Sequence, residues 1–333
     1  MIREAITALI DGRSLTMEEA AQVMEEIMAG GVTPAQFGAF VTALRLKGET
    51  VEEIAGLARV MRAKAVRVMT IEPVIDVVGT GGDGLNTFNI STAAAFVVAG
   101  AGLKVAKHGN RAASSKCGSA DVLEALGVKL DLTAEQVQRC LEEVGIGFMF
   151  APAFHPAMKY AAAPRREIGI RTVFNILGPL TNPAGAKAYL LGVADGTLVE
   201  KLALVLQSLG CDHALVVHGE DGLDEITVTG KTQVCELKDG TISSYAISPE
   251  DFGLSRASLD SLKGGTVDEN AAFLRSVLAG APGPKRDVVL MNAAAALVAG
   301  DRASSLQQGV VMAGEAIDSG RALAKLNQLI EFT

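Results

Sequence analysis

Closely spaced glycines and short polar side chains mark the segment GTGGDGLNTFNIST, which runs from Gly79 to Thr92 and follows the apolar run VIDVV. Its first six residues match G-x-G-x-x-G, but a dinucleotide-binding turn begins its helix within the glycines, and here seven residues intervene. Leu85 stands where a Walker-type loop requires a lysine after Gly84. The glycines and the free N–H groups of a helix start fit a site for another anion. For this loop taken alone, a glycine-rich turn capped by Ser91 or Thr92 is the favoured interpretation.

A second polar loop, KHGNRAASSKCGSAD, begins at Lys107 and leads into a helix start near Ser119. It places His108, Arg111 and Lys116 among asparagine and serine side chains. Neighbouring parallel strands bring the loops at their carboxyl ends to one edge of the sheet. We therefore expect this loop and the glycine-rich segment to bind one multiply phosphorylated ligand. A solvated basic loop is the alternative, but such a concentration of cations in an acidic chain favours the ligand.

Four carboxylates cluster in a third segment, HGEDGLDEITV: Glu220, Asp221, Asp224 and Glu225. Carboxylates beside phosphate-binding loops suggest Mg2+, a cation that takes one or two carboxylates plus substrate oxygens. Neighbours in a regular strand point to opposite faces, so Asp224 and Glu225 can serve one metal centre only if Asp224 lies in a loop. An acidic surface turn is an equally good interpretation of this segment taken alone.

The four histidines are not spaced as metal ligands, and no pattern typical of a hydrolytic triad is present. His108, between Lys107 and Gly109, is the histidine that we expect to be functional. His155 precedes Pro156 and is expected to lie in a turn.

The elements that position these loops can be predicted from capping and periodicity. Three capping-box patterns are each followed by apolar residues at helical spacing: Thr16-x-x-Glu19, Thr33-Pro34-x-Gln36 and Thr50-x-x-Glu53. They predict a small all-helical N-terminal domain over residues 1–70, completed by part of residues 160–185.

After the helical part, apolar β-type runs alternate with helix-type runs, which predicts an α/β domain over residues 71–333 with a mostly parallel central sheet. The segment EITVTGKTQVCELKDGTISSYAI is expected to be antiparallel, with turns at Gly230 and Asp239-Gly240. Between Arg165 and Gly185 the chain is rich in Pro, Gly and Asn. We expect an irregular segment there that crosses between the domains or lines a cleft.

The composition narrows the range of partners. The 333 residues carry a net charge of -8, with no Trp and 4% aromatic residues, which disfavours polyanions and base stacking, so nucleic acid is not expected as a partner. The four cysteines form no C-x-x-C pair, which favours a reduced, cytoplasmic setting. Apolar stretches such as Ala93–Leu103 are too short to span a bilayer, and no targeting segment is recognisable, so no membrane partner is expected.

Four ordered motifs together resemble the anthranilate phosphoribosyltransferase family of tryptophan biosynthesis: DVVGTGGDGLNTFNIST, KHGNRAASSKCGSADVLEALGV, IRTVFNILGPLTNPA and HGEDGLDEI. The resemblance spans nearly the whole chain and implies a fold similar to nucleoside phosphorylases and phosphoribosyltransferases. It also implies transfer of the phosphoribosyl group of PRPP to the amino group of anthranilate, with release of pyrophosphate and a requirement for Mg2+. A homodimer formed through the helical domain is implied as well.

The resemblance assigns roles to individual residues. Contacts to PRPP would come from Gly79, Gly82, Asp83, Thr87, Asn89, Ile90, Ser91, Thr92, Lys107, His108, Gly109, Asn110, Arg111, Ala112, Ala113, Ser114, Ser115 and Ser119. Two Mg2+ ions would be held by Ser91, Asp224 and Glu225. Anthranilate would be held by Gly79, Asn110 and Arg165, whose guanidinium suits its carboxylate.

Catalysis would then need no general acid or base, because an aromatic amine is already neutral at pH 7, and would rest on positioning and electrostatics. The chain departs from its relatives at three positions. Ala112 and Ala113 stand where relatives often carry a hydroxyl side chain, so backbone contacts are expected there. Pro164 is expected to alter how Arg165 is presented.

Two other functions remain compatible with parts of this pattern. The closest is a nucleoside phosphorylase of similar architecture, although the Asp224-Glu225 pair favours a metal-bound diphosphate over a lone phosphate. The other is a non-catalytic relative that binds nucleic acid in a basic groove, which the net charge disfavours.

Overall fold

The computed structural model of the protein describes residues 1–112 and 116–333. The predicted ligand residues Ala113, Ser114 and Ser115 lie outside the described part of the chain. The predicted fold class is confirmed, because a helical N-terminal part precedes a larger α/β part whose seven-stranded sheet is mostly parallel.

The N-terminal part contains four helices: α1 (Ile2–Ile10), α2 (Met17–Met28), α3 (Pro34–Lys47) and α4 (Val51–Lys64). All three predicted capping boxes are formed. At α2, for example, the Thr16 hydroxyl accepts from the Glu19 amide at 3.2 Å, and the Glu19 carboxylate accepts from the Thr16 amide at 2.9 Å. The helix starts are therefore determined by residues within one turn of each other.

The central sheet has the strand order β3-β2-β1-β4-β5-β6-β7. Its strands are β1 (Ile75–Gly79), β2 (Val105–Gly109), β3 (Ile146–Phe150), β4 (Ala188–Gly192), β5 (His213–Gly219), β6 (Thr232–Lys238) and β7 (Thr241–Ile247). The first five strands pair in parallel, and the register places Gly79 beside Gly192 at the carboxyl ends of β1 and β4. Parallel pairing brings the loops after these strands to one edge, as expected.

Strands β6 and β7 form the expected antiparallel hairpin at the edge of the sheet. Its turn is Asp239-Gly240, and both residues have positive φ, 48° and 74°, as a tight hairpin turn requires. The EITVTG part of the predicted antiparallel segment, residues 225–230, is not a strand. Its apolar side chains are buried and its backbone groups bond to side chains, so hydrophobic alternation was misleading there.

Eleven further helices belong to the rest of the described chain: α5 (Ile90–Gly100), α6 (Ser119–Ala125), α7 (Ala134–Arg139), α8 (Ala151–Phe154), α9 (Lys159–Ile168), α10 (Phe174–Leu177), α11 (Val199–Ser208), α12 (Val267–Leu278), α13 (Pro284–Ala299), α14 (Leu306–Asp318) and α15 (Arg321–Phe332). A π-helical segment follows α7 at Cys140–Val144, and short 3-10 turns occupy Pro156–Met158, Gly178–Leu180, Gly196–Leu198, Pro249–Phe252 and Leu259–Leu262.

Two of these helices, α5 and α13, are apolar on nearly every side and are buried. They contact the sheet on one side and α14 or α15 on the other, which explains why they lack a polar face. Elsewhere, α11 contacts both α4 and strands β5 and β6, so it joins the helical part to the sheet.

The segment from Arg165 to Gly185 is less irregular than expected. Arg165 lies inside α9, and α10 forms at Phe174–Leu177. Pro164 is tolerated inside α9, where it is buried, although its ring removes one helix hydrogen bond. Helix α9 contacts α2 and α3 of the N-terminal part, and the segment as a whole lines a cleft.

Candidate active site

A cavity of about 620 Å³ opens at the carboxyl ends of the parallel strands. Its walls come from the loops after β1, β2 and β5, from α8 and α9, and from the segment around α10. All described residues with a predicted ligand role line it: Gly79, Gly82, Asp83, Thr87, Asn89, Ile90, Ser91, Thr92, Lys107, His108, Gly109, Asn110, Arg111, Ala112, Ser119, Arg165, Asp224 and Glu225. Four parts of the chain that are far apart in sequence therefore line one cavity: the glycine-rich segment, the second polar loop, Arg165 and the acidic pair.

The glycine-rich loop is held in a conformation that L side chains rarely adopt. Gly81, Gly82 and Gly84 have φ values of 67°, 79° and 74°. A Cβ on Gly82 would overlap the guanidinium of Arg171, which also donates a hydrogen bond to the Gly81 carbonyl at 2.9 Å. Arg171 lines the cavity and was missed by the sequence analysis, although it lies in the IRT motif.

Helix α5 begins at Ile90, and its N-cap is Asn89 rather than Ser91 or Thr92. The Asn89 side chain does not cap the helix but donates to the Cys117 carbonyl at 3.1 Å, which ties the first loop to the second. The Ser91 amide donates to the Glu225 carboxylate at 3.2 Å. The helix N-terminus thus faces the carboxylate predicted to bind metal.

Lys107 lies at the floor of the cavity, with 3% of its surface exposed. Its ammonium donates to the Val77 carbonyl at 2.6 Å and to the Ser91 hydroxyl at 3.4 Å. Burial lowers its pKa, while the negative charges of Asp76 and Glu225 oppose that shift. Lys107 therefore holds Ser91 by a hydrogen bond and offsets part of the negative charge of Glu225.

Asp224 and Glu225 lie in the loop after β5. This position meets the condition under which two neighbouring residues could both bind at one metal centre. Burial raises the pKa of both carboxyl groups, and the charge of each neighbouring carboxylate adds to that shift for Asp224. Asp83 contributes to the same negative potential. One Asp224 oxygen accepts from the Gly81 amide at 2.6 Å, so the acidic loop also holds the glycine-rich loop.

Mg2+ fits this donor set. Two buried, like-charged carboxylates are unfavourable together unless a cation lies between or beside them. Within the described residues, no group of three or more His, Cys, Asp or Glu side chains forms a complete metal site. A site with few protein ligands is typical of Mg2+ that is bound together with substrate phosphates.

The residues expected to hold an aromatic acid line the same cavity. Arg165 lies 5.6 Å above the Phe174 ring and donates to the Phe174 carbonyl at 3.4 Å. No carboxylate of the described chain forms an ion pair with it. Asn110, also predicted, lines the same cavity. A guanidinium without a carboxylate partner suits a ligand carboxylate.

The histidine pair His108 and His155 also lines the cavity, with ring centroids 5.0 Å apart. Burial lowers the pKa of His108 to about 3 and that of His155 to about 4, so both rings are neutral at pH 7. His155 follows α8 as a turn residue would, but its ring is buried in the site, which the sequence analysis missed. Two residues so far apart in the chain leave no local pattern in the sequence.

Every buried side-chain atom that lacks a hydrogen-bond partner in the described chain belongs to this cavity wall. These atoms are Oδ1 of Asn89, Nε2 of His108, and both ring nitrogens of His155. Unpaired buried polar atoms are costly and rare in native proteins. Their concentration at one cavity indicates that a polar ligand completes the hydrogen bonding.

Arg111 is more engaged within the protein than its sequence context suggests. It forms ion pairs with Asp121 and Glu124 at 3.0 and 2.8 Å, and it lies 5.7 Å above the Phe150 ring. These contacts fix the described part of the second loop against α6, where Ser119 also donates to the Asn110 carbonyl at 3.3 Å.

The class of protein is given by two family models that match consecutive parts of the chain. Residues 3–65 match the glycosyl transferase family helical bundle domain, and residues 71–323 match the glycosyl transferase family a/b domain. The helical part and the cavity-bearing sheet therefore correspond to the two domains of this transferase class.

Comparison with individual relatives shows which family within this transferase class the chain belongs to. The anthranilate phosphoribosyltransferase of Dehalococcoides mccartyi is 61% identical over 335 residues, covering 100% of this chain and 98% of the relative. The crystal structure of the Thermus thermophilus enzyme has a TM-score of 0.94 at 48% identity, covering 98% of both chains. The Saccharomyces cerevisiae enzyme in complex with PRPP and Mg has a TM-score of 0.91 at 30% identity, covering 99% of this chain and 97% of that chain. The chain belongs to the anthranilate phosphoribosyltransferase family.

Proposed function

We propose that this protein transfers the 5-phosphoribosyl group of PRPP to anthranilate, giving N-(5-phosphoribosyl)anthranilate and pyrophosphate in tryptophan biosynthesis. The observation that carries the proposal is the convergence of three segments on one cavity. An acidic loop, a glycine-rich loop and an arginine without a carboxylate partner in the described chain face a space of about 620 Å³. Family membership and the complex of the yeast relative with PRPP and Mg support the same assignment.

The roles of the residues follow from their positions. The glycine-rich loop and the start of α5 would bind the phosphates of PRPP through backbone N–H groups. Asp224, Glu225 and Ser91, which line the cavity, would hold Mg2+, and the resemblance to the family implies two ions. Mg2+, when bound, neutralises charge that develops on the departing pyrophosphate.

Arg165 would bind the anthranilate carboxylate, while Asn110 and the backbone at Gly79 would orient the ring. The amino group would then attack C1 of the ribose as the C1–O bond to pyrophosphate breaks. The new C1–N ammonium would lose one proton to the departing pyrophosphate or to water. The neutral rings of His108 and His155 offer hydrogen-bonding nitrogens without adding positive charge. The chain's contribution is therefore positioning and electrostatic stabilisation, and the transition state is expected to have oxocarbenium character.

We further propose the following organisation. Residues 1–70, completed by α9, form a helical domain, and residues 71–333 form the PRPP-binding domain. The helical domain, which exposes Ile10 and Leu46, would form a homodimer interface, for which light scattering is the test.

The four cysteines are unpaired, which fits the cytoplasmic setting that we infer. No helix in residues 1–112 or 116–333 is long and apolar enough to cross a membrane.

The deciding experiment follows the loss of anthranilate fluorescence on adding PRPP and Mg2+, with and without EDTA. We expect loss of fluorescence that depends on PRPP and is abolished by EDTA. The alternative function is tested in parallel with phosphate and thymidine or uridine. Phosphorolysis of a nucleoside without activity on PRPP would overturn the proposal, and so would tight, salt-sensitive DNA binding without turnover.

A further inference from the structure

The loop that carries Asp224 and Glu225 has no regular secondary structure, yet Leu223 and residues 225–228 within it are buried. Buried backbone groups need hydrogen-bond partners, and a loop between strands obtains none from a β-ladder. Part of the need is met within the loop, where the Thr227 and Thr229 hydroxyls each donate to the Asp221 carboxylate at 2.7 Å. The residues that hold the acidic pair from outside the loop determine where its carboxylates point.

Asn292 supplies one such support from α13. Its side chain is fully buried, and its amide oxygen accepts from the Ile226 amide at 3.0 Å. Its amide nitrogen donates to the Ile226 carbonyl at 2.9 Å and to the Val288 carbonyl of its own helix at 2.8 Å. One side chain thus satisfies both backbone groups of the residue after Glu225, as a neighbouring strand would.

The second support is a close approach at the ends of two strands. Gly192 at the end of β4 lies beneath Asp224, and a Cβ at Gly192 would overlap the Asp224 carbonyl group. A Cβ at Gly79, its partner in β1, would lie 2.5 Å from the Asp224 carboxylate. Only glycine at these positions lets the acidic loop rest directly on the sheet.

We propose that Asn292 and Gly192 are positioning residues that hold Asp224 and Glu225 in the orientation required to bind the metal with PRPP. Neither residue lines the cavity, and both act through the backbone of the acidic loop. The inference rests on the proposed function. Residues that orient metal ligands from behind commonly change metal affinity by about 10- to 100-fold when they are replaced.

The test uses two variants with one control for each. Asn292→Leu removes the three hydrogen bonds at similar volume, and Leu297→Ala in the same buried helix is its control for loss of stability. Gly192→Ala places a methyl group against Asp224, and Gly314→Ala is its control, because a Cβ at Gly314 meets no atom within 4 Å. Binding of Mn2+ in the presence of PRPP is measured by electron paramagnetic resonance, and the Mg2+ dependence of turnover is measured alongside.

We expect Asn292→Leu and Gly192→Ala to weaken Mn2+ binding by about 10-fold or more, with the anthranilate KM unchanged and turnover recovering at high Mg2+. The controls should bind Mn2+ as the wild type does. Wild-type-like Mn2+ binding by the two variants, or equal losses in the controls, would overturn the inference. If Asn292→Leu does not fold, Gly192→Ala decides alone. Failure of the wild type itself to bind Mn2+ with PRPP would instead count against the proposed function.

Discussion

The two ends of strand β5 carry clusters of ionisable side chains of opposite character. At the amino end, His213 bonds to Asp301 at 2.9 Å through Nδ1 and to Glu236 at 3.0 Å through Nε2. Glu236 in turn accepts from the Tyr245 hydroxyl at 2.8 Å. At the carboxyl end, the adjacent carboxylates Asp224 and Glu225 share a buried loop.

The amino-end cluster is complete within the protein, because opposite charges and hydrogen bonds match one another. The carboxyl-end cluster places like charges together and lies beside the buried polar atoms without partners that line the cavity. The pKa directions agree with this difference. Burial lowers the pKa of His213, but its two carboxylate partners outweigh that effect, so its pKa is raised overall. For Asp224, burial and the neighbouring like charges act in the same direction, and both raise the pKa. The unsatisfied groups lie at the end of the sheet where we propose that the ligand binds, and they cost stability.

The largest effect is expected from neutralising the acidic pair. Asp224→Asn with Glu225→Gln keeps the volume but removes both charges, so metal-dependent turnover should fall by about 10³-fold or more. The same change should raise Tm, because like charges no longer share a buried loop. Turnover is measured by anthranilate fluorescence and Tm by calorimetry. Glu220→Gln, an exposed carboxylate in the same loop, is the control, and full activity of the double variant would refute the metal assignment.

A smaller effect is expected at Arg165, which also lines the cavity. Arg165→Ala removes the guanidinium that faces a ligand carboxylate, so the anthranilate KM should rise about 10- to 100-fold, much more than the KM for PRPP. Arg166→Ala changes the exposed neighbour in α9 and should leave both constants unchanged. Steady-state kinetics in both substrates provide the test. An equal rise in the two KM values would show that Arg165 supports the fold rather than anthranilate.

Arg171 tests whether the glycine-rich loop is held from outside. Arg171→Ala removes the hydrogen bond to the Gly81 carbonyl, so the loop should lose order and the KM for PRPP should rise about 10-fold. Arg67→Ala, an exposed arginine away from the cavity lining, is the control. A selective change in the anthranilate KM would contradict this assignment.

The smallest effect on activity is expected at the amino end of β5. A histidine whose pKa is raised by folding contributes stability below its unfolded pKa, about 6.5, and the contribution is lost as pH rises through the folded value. His213→Gln should therefore lower the free energy of unfolding by about 1–2 kcal/mol at pH 5.5, and by less at pH 8.5. Urea unfolding at the two pH values gives the difference. Turnover should be unchanged, and a difference that grows with pH would contradict the charge assignment.

Much of this molecule could be predicted from local sequence. The capping boxes at Thr16, Thr33 and Thr50 depend on residues three positions apart, and the Asp239-Gly240 turn depends on two adjacent residues. The irregular segment predicted after Arg165 was partly wrong, because packing of α9 on α2 and α3 outweighs the helix-breaking effect of Pro164. The strand predicted from EITV was also wrong, since side chains such as Asn292 satisfy its backbone instead.

The sequence by itself determined the helix starts at the three capping boxes, the Asp239-Gly240 turn and the residue types from which the candidate site is built. Tertiary structure alone decided which of them meet. The strand order places β4 beside β1, which brings Asp224 onto Gly79 and Gly192, and it brings His155 onto His108 and Arg171 onto Gly81. Capping hydrogen bonds and hydrophobic periodicity involve residues only a few positions apart, so they can be predicted from local sequence. Contacts between distant residues depend on how the layers pack, and only the folded chain brings those residues within bonding distance.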